Sequence, residues 1–202
     1  MSRFTWLPFF EEMLSVICKK YNKESLCKVF HEIFSDAGGT QTKFPDGTVG
    51  PLREIDPLTF IAYFNRGIKN TRRFKYCRLA KQKFGLNSET PEDFDGIPTI
   101  NPQLTWFFGW ATGTNSDDIN SLWSFSKQLE MGQVDDDLFS RILKIRNVGI
   151  VKLTQLMFIC RPTHYVSLDK KNVNYLKNHG FPGEKHSSKK SSLQYCRISK
   201  MV

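Results

Sequence analysis

Apolar residues recur at intervals of three and four along much of the chain, and this spacing constrains the fold more than any other feature. Near the start it places Phe9, Phe10, Met13, Leu14 and Ile17 on one side of a helix. The same spacing predicts further helices over residues 23–34, 56–64, 71–84, 117–125, 135–143 and 150–160. Because strand-like alternation is scarce, we predict a mainly α, compact multi-helix domain with few short strands.

Local signals mark several of the predicted helix ends. Asp56 is a suitable N-cap, and Pro57 follows it at a position where a helix tolerates proline. Acidic side chains at 117–118 and 135–137 suit the first turn of a helix. The run over residues 150–160 is almost wholly apolar and predicts the most buried helix. Residues 165–169 are strand-like, and a helix is expected from Lys170 onwards.

The net charge of +9 is concentrated at one end of the chain. Residues 1–140 hold 16 basic and 18 acidic side chains, whereas residues 141–202 hold 13 basic and only 2 acidic ones. This asymmetry is typical of a chain with a polyanionic partner, although a lysine-rich, solvated tail would produce the same composition. We expect one domain over residues 1–180 and a polar, basic, disordered tail over residues 181–202.

Some classes of protein do not fit the sequence. Its apolar runs fall short of the roughly 18 residues that span a bilayer, and its N-terminus lacks the features of a signal peptide. We therefore expect a cytoplasmic protein without a membrane partner. The five cysteines and four histidines lack zinc-ligand spacing, so we expect free thiols and neither a metal nor a cofactor.

Short motifs resemble, in the same order, the N-terminal region that precedes the nucleotide-hydrolysing motor of McrB-like restriction enzymes. They are Asp56-Pro57-x-x-Phe60-x-x-x-Phe64-Asn65-Arg66-Gly67, Phe94-Asp95-Gly96-Ile97-Pro98, Asp117-Asp118-Ile119-x-x-Leu122-Trp123, Leu153-Thr154 and Leu168-Asp169-x-x-Asn172. These bacterial enzymes act on DNA that carries modified cytosine. The sequence contains no G-x-x-x-x-G-K-[S/T] phosphate loop, so the resemblance implies DNA recognition without the motor.

Residues 145–149 resemble the hairpin of a helix-hairpin-helix element, in which backbone amides and a helix N-terminus hold a phosphate. Asn147 replaces the first glycine of that hairpin, and asparagine tolerates the left-handed conformation better than other non-glycine residues. Arg146 and Lys152 flank the turn, and Gly149 is its second glycine. An ordinary turn between two core helices remains the alternative.

Asp169 follows the hairpin at a spacing similar to that of the catalytic aspartate in helix-hairpin-helix DNA glycosylases. In those enzymes a carboxylate stabilises the cationic sugar as a flipped base departs. The alternative role of Asp169 is an N-cap on the helix that starts at Lys170. Val151 occupies the position at which bifunctional glycosylases have a lysine, which argues against lyase chemistry.

A second basic segment runs from Arg66 to Lys83 and contains no acidic residue. A helix face of one sign suits DNA phosphate, although a solvated face is the alternative. The residues from this segment that we select as DNA contacts are Arg66, Lys69, Arg72, Arg73 and Arg78. Two tryptophans, Trp106 and Trp110, are candidates for stacking on a base, and Phe107 is expected in the core.

The function that these features predict is that of a non-catalytic DNA-binding module of a modification-dependent restriction system, stand-alone or truncated. DNA and a motor or nuclease subunit of the same system are its expected partners. A monofunctional DNA glycosylase that uses Asp169 is the enzymatic alternative. A third hypothesis is a decayed fragment that has lost its function or only binds a partner subunit.

Overall fold

A computed structural model of the protein describes residues 4–36, 41–43, 49–101, 105–108 and 116–179, with backbone alone at 41–43 and 116. In this part of the chain helices predominate, which confirms the predicted fold class. The helices are α1 (Trp6–Lys20), α2 (Lys23–Phe34), α3 (Pro57–Ala62), α4 (Asn70–Phe84), α5 (Ser116–Glu130), α6 (Asp136–Ile142), α7 (Ile150–Cys160) and α8 (Lys170–Asn178). A single 3-10 turn, Tyr63–Asn65, continues α3.

Two short strands lie between α2 and α3. The strand β1 (Gln41–Lys43) pairs antiparallel with β2 (Val49–Pro51), and Gln41 is opposite Pro51. Each strand has three residues. They match the few short strands that the sequence predicts.

Residues at several helix ends explain why those helices start or stop where they do. Asp56 caps α3 by accepting a hydrogen bond from the amide of Thr59 (2.9 Å), and Asp135 caps α6 through the amide of Leu138 (2.6 Å). Gly85 ends α4 with a φ of 63°, a left-handed conformation that glycine adopts without strain. The N-cap predicted at Asp56 and the opening of α6 by its acidic residues are both confirmed.

The core forms around α1, which packs against α3, α5 and α7. Beside it, an aromatic cluster joins α2, α3 and the 3-10 turn, with Phe34 edge-on to Phe60 at 5.8 Å and to Phe64 at 5.0 Å between ring centroids. Phe107 is also buried, as expected. Each such ring stabilises the fold by roughly 2 kcal/mol through removal of apolar surface from water.

Two local predictions are wrong. The most buried helix is α3, in which all six residues are buried, whereas α7 begins at the surface and leaves Val151 41% exposed. Residues 165–168 form no strand, because the amide of Leu168 donates to the Thr154 hydroxyl (3.0 Å) rather than to a neighbouring strand. Trp110 and the predicted tail over residues 181–202 lie outside the described residues.

The longest described helices, α1, α4 and α5, have 15 residues each. No helix in the described ranges has both the length and the hydropathy that crossing a bilayer requires.

The described cysteines are free thiols: Cys18, Cys27, Cys77 and Cys160. Burial raises the pKa of Cys18 and of Cys27 to about 12. Because the thiolate is the reactive form of cysteine, these side chains behave as small apolar core residues at neutral pH.

Candidate nucleic-acid interface

The hairpin (residues 145–149) connects α6 to α7 as a tight turn. The amide of Val148 donates to the carbonyl of Ile145 (3.0 Å), and both of these side chains are buried. Asn147 between them adopts a φ of 65°, which confirms the left-handed conformation that the sequence predicts there. Arg146, Asn147 and Gly149 face solvent. The turn is thus anchored from below while its polar residues project outwards.

The N-terminus of α7 opens directly from this turn. Gly149 is the N-cap residue, with φ −97° and ψ 158°, and it has no side chain that could cap the helix. Among the described residues, nothing lies within 4 Å of the position that a Cβ atom would occupy on Gly149. The first turn of α7 contains no acidic side chain. The amides that begin a helix therefore remain available to an anion at this point.

Lys152 does not contribute to this surface, contrary to expectation. It is 8% exposed, its Nζ donates to the carbonyl of Trp106 (3.0 Å), and it lies 4.4 Å from the centroid of the Phe107 ring. Burial lowers the pKa of Lys152 to about 8, and the nearby carboxyl of Asp56 only partly opposes this shift. The side chain ties α7 to residues 105–108 in the interior.

Arg73 also lies in the interior rather than on the basic surface of α4. It is 6% exposed, and its guanidinium carbon lies 4.5 Å from the centroid of the Phe94 ring. Burial lowers its pKa. The inward face of α4 therefore includes position 73 together with Tyr76, Cys77, Ala80 and Phe84.

Other elements supply acids that pair with part of the basic segment. Salt bridges join Lys75 to Asp36 (2.6 Å), Lys81 to Glu89 (2.9 Å) and Lys83 to Glu32 (2.5 Å). Of the selected DNA contacts, Lys69, Arg72 and Arg78 are exposed. Arg66 lies 3.7 Å from the centroid of the Tyr63 ring. The face of α4 is thus partly neutralised, because three of its lysines already pair with carboxylates.

Asp169 is occupied as the N-cap of α8. One carboxylate oxygen accepts hydrogen bonds from the amides of Lys171 and Asn172, at 3.0 Å each. The other accepts from the hydroxyl of Ser167 (3.0 Å) and from the side-chain amide of Asn172 (3.1 Å). The first oxygen thus makes the contacts of a cap, and the second is engaged by neighbouring side chains.

The half-buried ring of Trp106 packs against the core. It meets Phe30 edge-on at 5.9 Å and Tyr63 edge-on at 5.7 Å between ring centroids. These contacts account for the position of Trp106 without a ligand.

A model of the family described as Domain of unknown function (DUF8425) matches residues 6–201. The chain belongs to this family. The family description names no activity, and the comparisons found neither a curated protein nor a solved structure that matches the chain.

In this DUF8425 domain buried polar side chains of α3 and α7 meet residues 105–108, and the sequence did not indicate this arrangement. Asp56 is completely buried, and the Thr59 hydroxyl donates to its carboxylate (2.5 Å) while accepting from the amide of Phe107 (3.0 Å). Burial raises the pKa of Asp56, just as it lowers that of Lys152. The Asp-Pro pair signalled a helix cap, but only the tertiary fold brings it near a lysine from α7.

Proposed function

We propose that this protein is a non-catalytic DNA-binding module whose hairpin and first turn of α7 hold a backbone phosphate. The observation that carries the proposal is the geometry at residues 147–149. Asn147 is left-handed, and Gly149 begins α7 without a side-chain cap and with open space at its Cβ position. Phosphate oxygens suit such a site because the amides and the helix dipole both favour negative charge.

The distribution of charge favours a polyanion at this end of the chain. Residues 141–202 carry 13 basic and 2 acidic side chains. Lys144 and Arg146 are exposed beside the turn, and Lys69, Arg72 and Arg78 provide a second exposed basic group on α4. Long-range attraction of this kind speeds the encounter with DNA and makes binding dependent on salt.

The resemblance to the N-terminal region of McrB-like enzymes makes a restriction system the biological context that we propose. In that context the module reads modified cytosine, and a motor or nuclease subunit does the cutting. The glycosylase alternative receives less support, because both carboxylate oxygens of Asp169 already accept hydrogen bonds from neighbouring residues. A catalytic carboxylate needs an oxygen directed at the sugar.

Fluorescence anisotropy with a labelled duplex tests the proposal. We expect wild-type protein to bind with an affinity that falls as salt rises, and Arg146→Gln to weaken binding several-fold and flatten the salt slope by about one. The matched control is Lys28→Gln, which removes the same charge from the exposed surface of α2. Absence of duplex binding at low salt, or equal loss in both variants, contradicts the proposed contact.

The same titration with methylated and unmethylated duplexes tests the restriction context separately. We expect tighter binding to the duplex with methylated cytosine. Equal affinities for the two duplexes contradict the proposed recognition of methylated cytosine. They do not affect the proposed phosphate contact.

A further inference from the structure

The outward face of α8 carries positive charge and no compensating acid. Leu176 is buried and Val173 is half-buried, and these two side chains define the inward face of the helix. Lys170, Lys171 and Lys177 are exposed, α8 itself contains no acidic residue, and the carboxylate of Asp169 at its N-terminus is engaged in capping. Like charges on one helix repel each other, so this face is complementary to an anion that spreads its charge along the helix.

A preformed aromatic pair lies at one edge of this exposed surface, beside Lys171 and across the helix from Lys170 and Lys177. The rings of Tyr175 and His179 stack with 4.0 Å between centroids and an interplanar angle of 26°. Tyr175 is 61% exposed, and the ring nitrogen Nδ1 of His179 lies 2.8 Å from the Tyr175 carbonyl oxygen. Positions 171, 175 and 179 follow one another at four-residue spacing, so Lys171 and both rings share one stripe of the helix.

We infer that α8 binds single-stranded nucleic acid, with an unpaired base stacked on the Tyr175–His179 pair and a flanking phosphate against Lys171. Lys170 and Lys177, at the other edge of the exposed surface, attract the rest of the strand. Flat rings combined with cations on the same helix are the features that single-strand binding uses, since every base has a π-face and every linkage a negative charge. A purely electrostatic partner, such as an anion without aromatic groups, has no use for the ring pair. The inference goes beyond the proposed duplex contact and uses none of its residues.

The test compares two probes of equal length and charge: a short oligothymidine and the same backbone with abasic sites. Wild-type protein binds oligothymidine at least about fivefold more tightly than the abasic strand. Tyr175→Ala abolishes this difference, whereas Tyr175→Phe, which keeps a ring, preserves it. Replacing Lys170, Lys171 and Lys177 by glutamine weakens binding to both probes and flattens the salt slope by about two.

Because Tyr175 is largely exposed, Tyr175→Ala should unfold at the same urea concentration as wild type, and this measurement checks that the variant is folded. Equal wild-type affinity for the two probes overturns the inference, and so does a folded Tyr175→Ala variant that still prefers oligothymidine.

A hairpin variant separates this inference from the proposed function. Gly149→Asp is expected to lose duplex binding and to keep its preference for oligothymidine. If it also loses that preference, then the α8 site is not independent and the inference as stated fails. If it keeps duplex binding, the hairpin proposal fails while the α8 inference stands.

Discussion

Whether Lys152 contacts a ligand or the core depends on which side of α7 faces the interior. Because residues 150–160 are apolar almost throughout, the sequence offers little contrast between the faces of α7, and Lys152 was expected beside the phosphate. In the folded protein its Nζ donates to the carbonyl of Trp106, close to the buried Asp56. The aliphatic part of a lysine side chain can cross an apolar layer, but the sequence does not show which polar group its Nζ will contact.

The burial of Lys152 predicts a specific dependence of stability on pH. The pKa of Lys152 is about 8 in the folded protein and has its ordinary value of 10.5 in an unfolded chain. Between these values the unfolded chain binds more protons, so the contribution of Lys152 to the free energy of unfolding increases as pH rises. The free energy of unfolding of wild type, relative to that of Lys152→Met, should therefore rise by up to about 3 kcal/mol as pH increases across this window.

Urea unfolding of both proteins at about pH 7 and about pH 10 measures this gain. A difference between the two proteins that does not change with pH contradicts the buried position of Lys152.

Asp169 provides a second test at the scale of one residue. Because Asp169 is an N-cap, Asp169→Ala should lower the free energy of unfolding by on the order of 1 kcal/mol. Asp169→Asn should lower it less, because the side-chain oxygen of asparagine still accepts from an amide. Neither wild-type protein nor the variants should release a base from DNA. Abasic sites produced by wild type but not by Asp169→Asn would show that the protein is an enzyme after all.

At the scale of the element, helix ends were predictable where the signal is local. The bounds of α2 and α7 agree with the apolar spacing, and Asp56, Asp135 and Gly85 each act within a turn of their own helix. The character of the α4 surface was not predictable in the same way. Its partners Glu32, Asp36 and Glu89 come from elsewhere in the chain, so the segment looks uniformly basic only in sequence.

Two sets of α4 variants test which of its cations contact DNA. Replacing the exposed Lys69, Arg72 and Arg78 by glutamine should weaken duplex binding and flatten the salt slope by up to about three. The matched control replaces Lys75, Lys81 and Lys83, which already pair with carboxylates and should have a smaller effect on affinity. Equal losses in the two sets indicate that α4 acts only through its total charge.

At the scale of the whole molecule, buried side chains of the hairpin fix its polar residues at the surface. Ile145 and Val148 anchor the hairpin to the core. Lys152, in the first turn of α7, connects that helix to residues 105–108 through the Trp106 carbonyl. The turn itself was recognisable in sequence, because an asparagine stands at the position where the backbone is left-handed. The buried polar residues Asp56 and Lys152 could not be paired in this way, because they lie almost 100 positions apart and are brought together only by packing.

The most direct test of the central claim is the response of duplex affinity and stability to Gly149→Asp. The backbone at position 149 already has the conformation of an N-cap, so the new carboxylate can accept from the amides of α7 that we assign to phosphate. The account predicts a protein as stable as wild type, or more stable by up to about 1 kcal/mol, that binds duplex DNA at least about tenfold more weakly. Gly149→Ala, which places a methyl group in open space, should keep its affinity within a few-fold. A Gly149→Asp protein that binds duplex DNA as tightly as wild type contradicts the account.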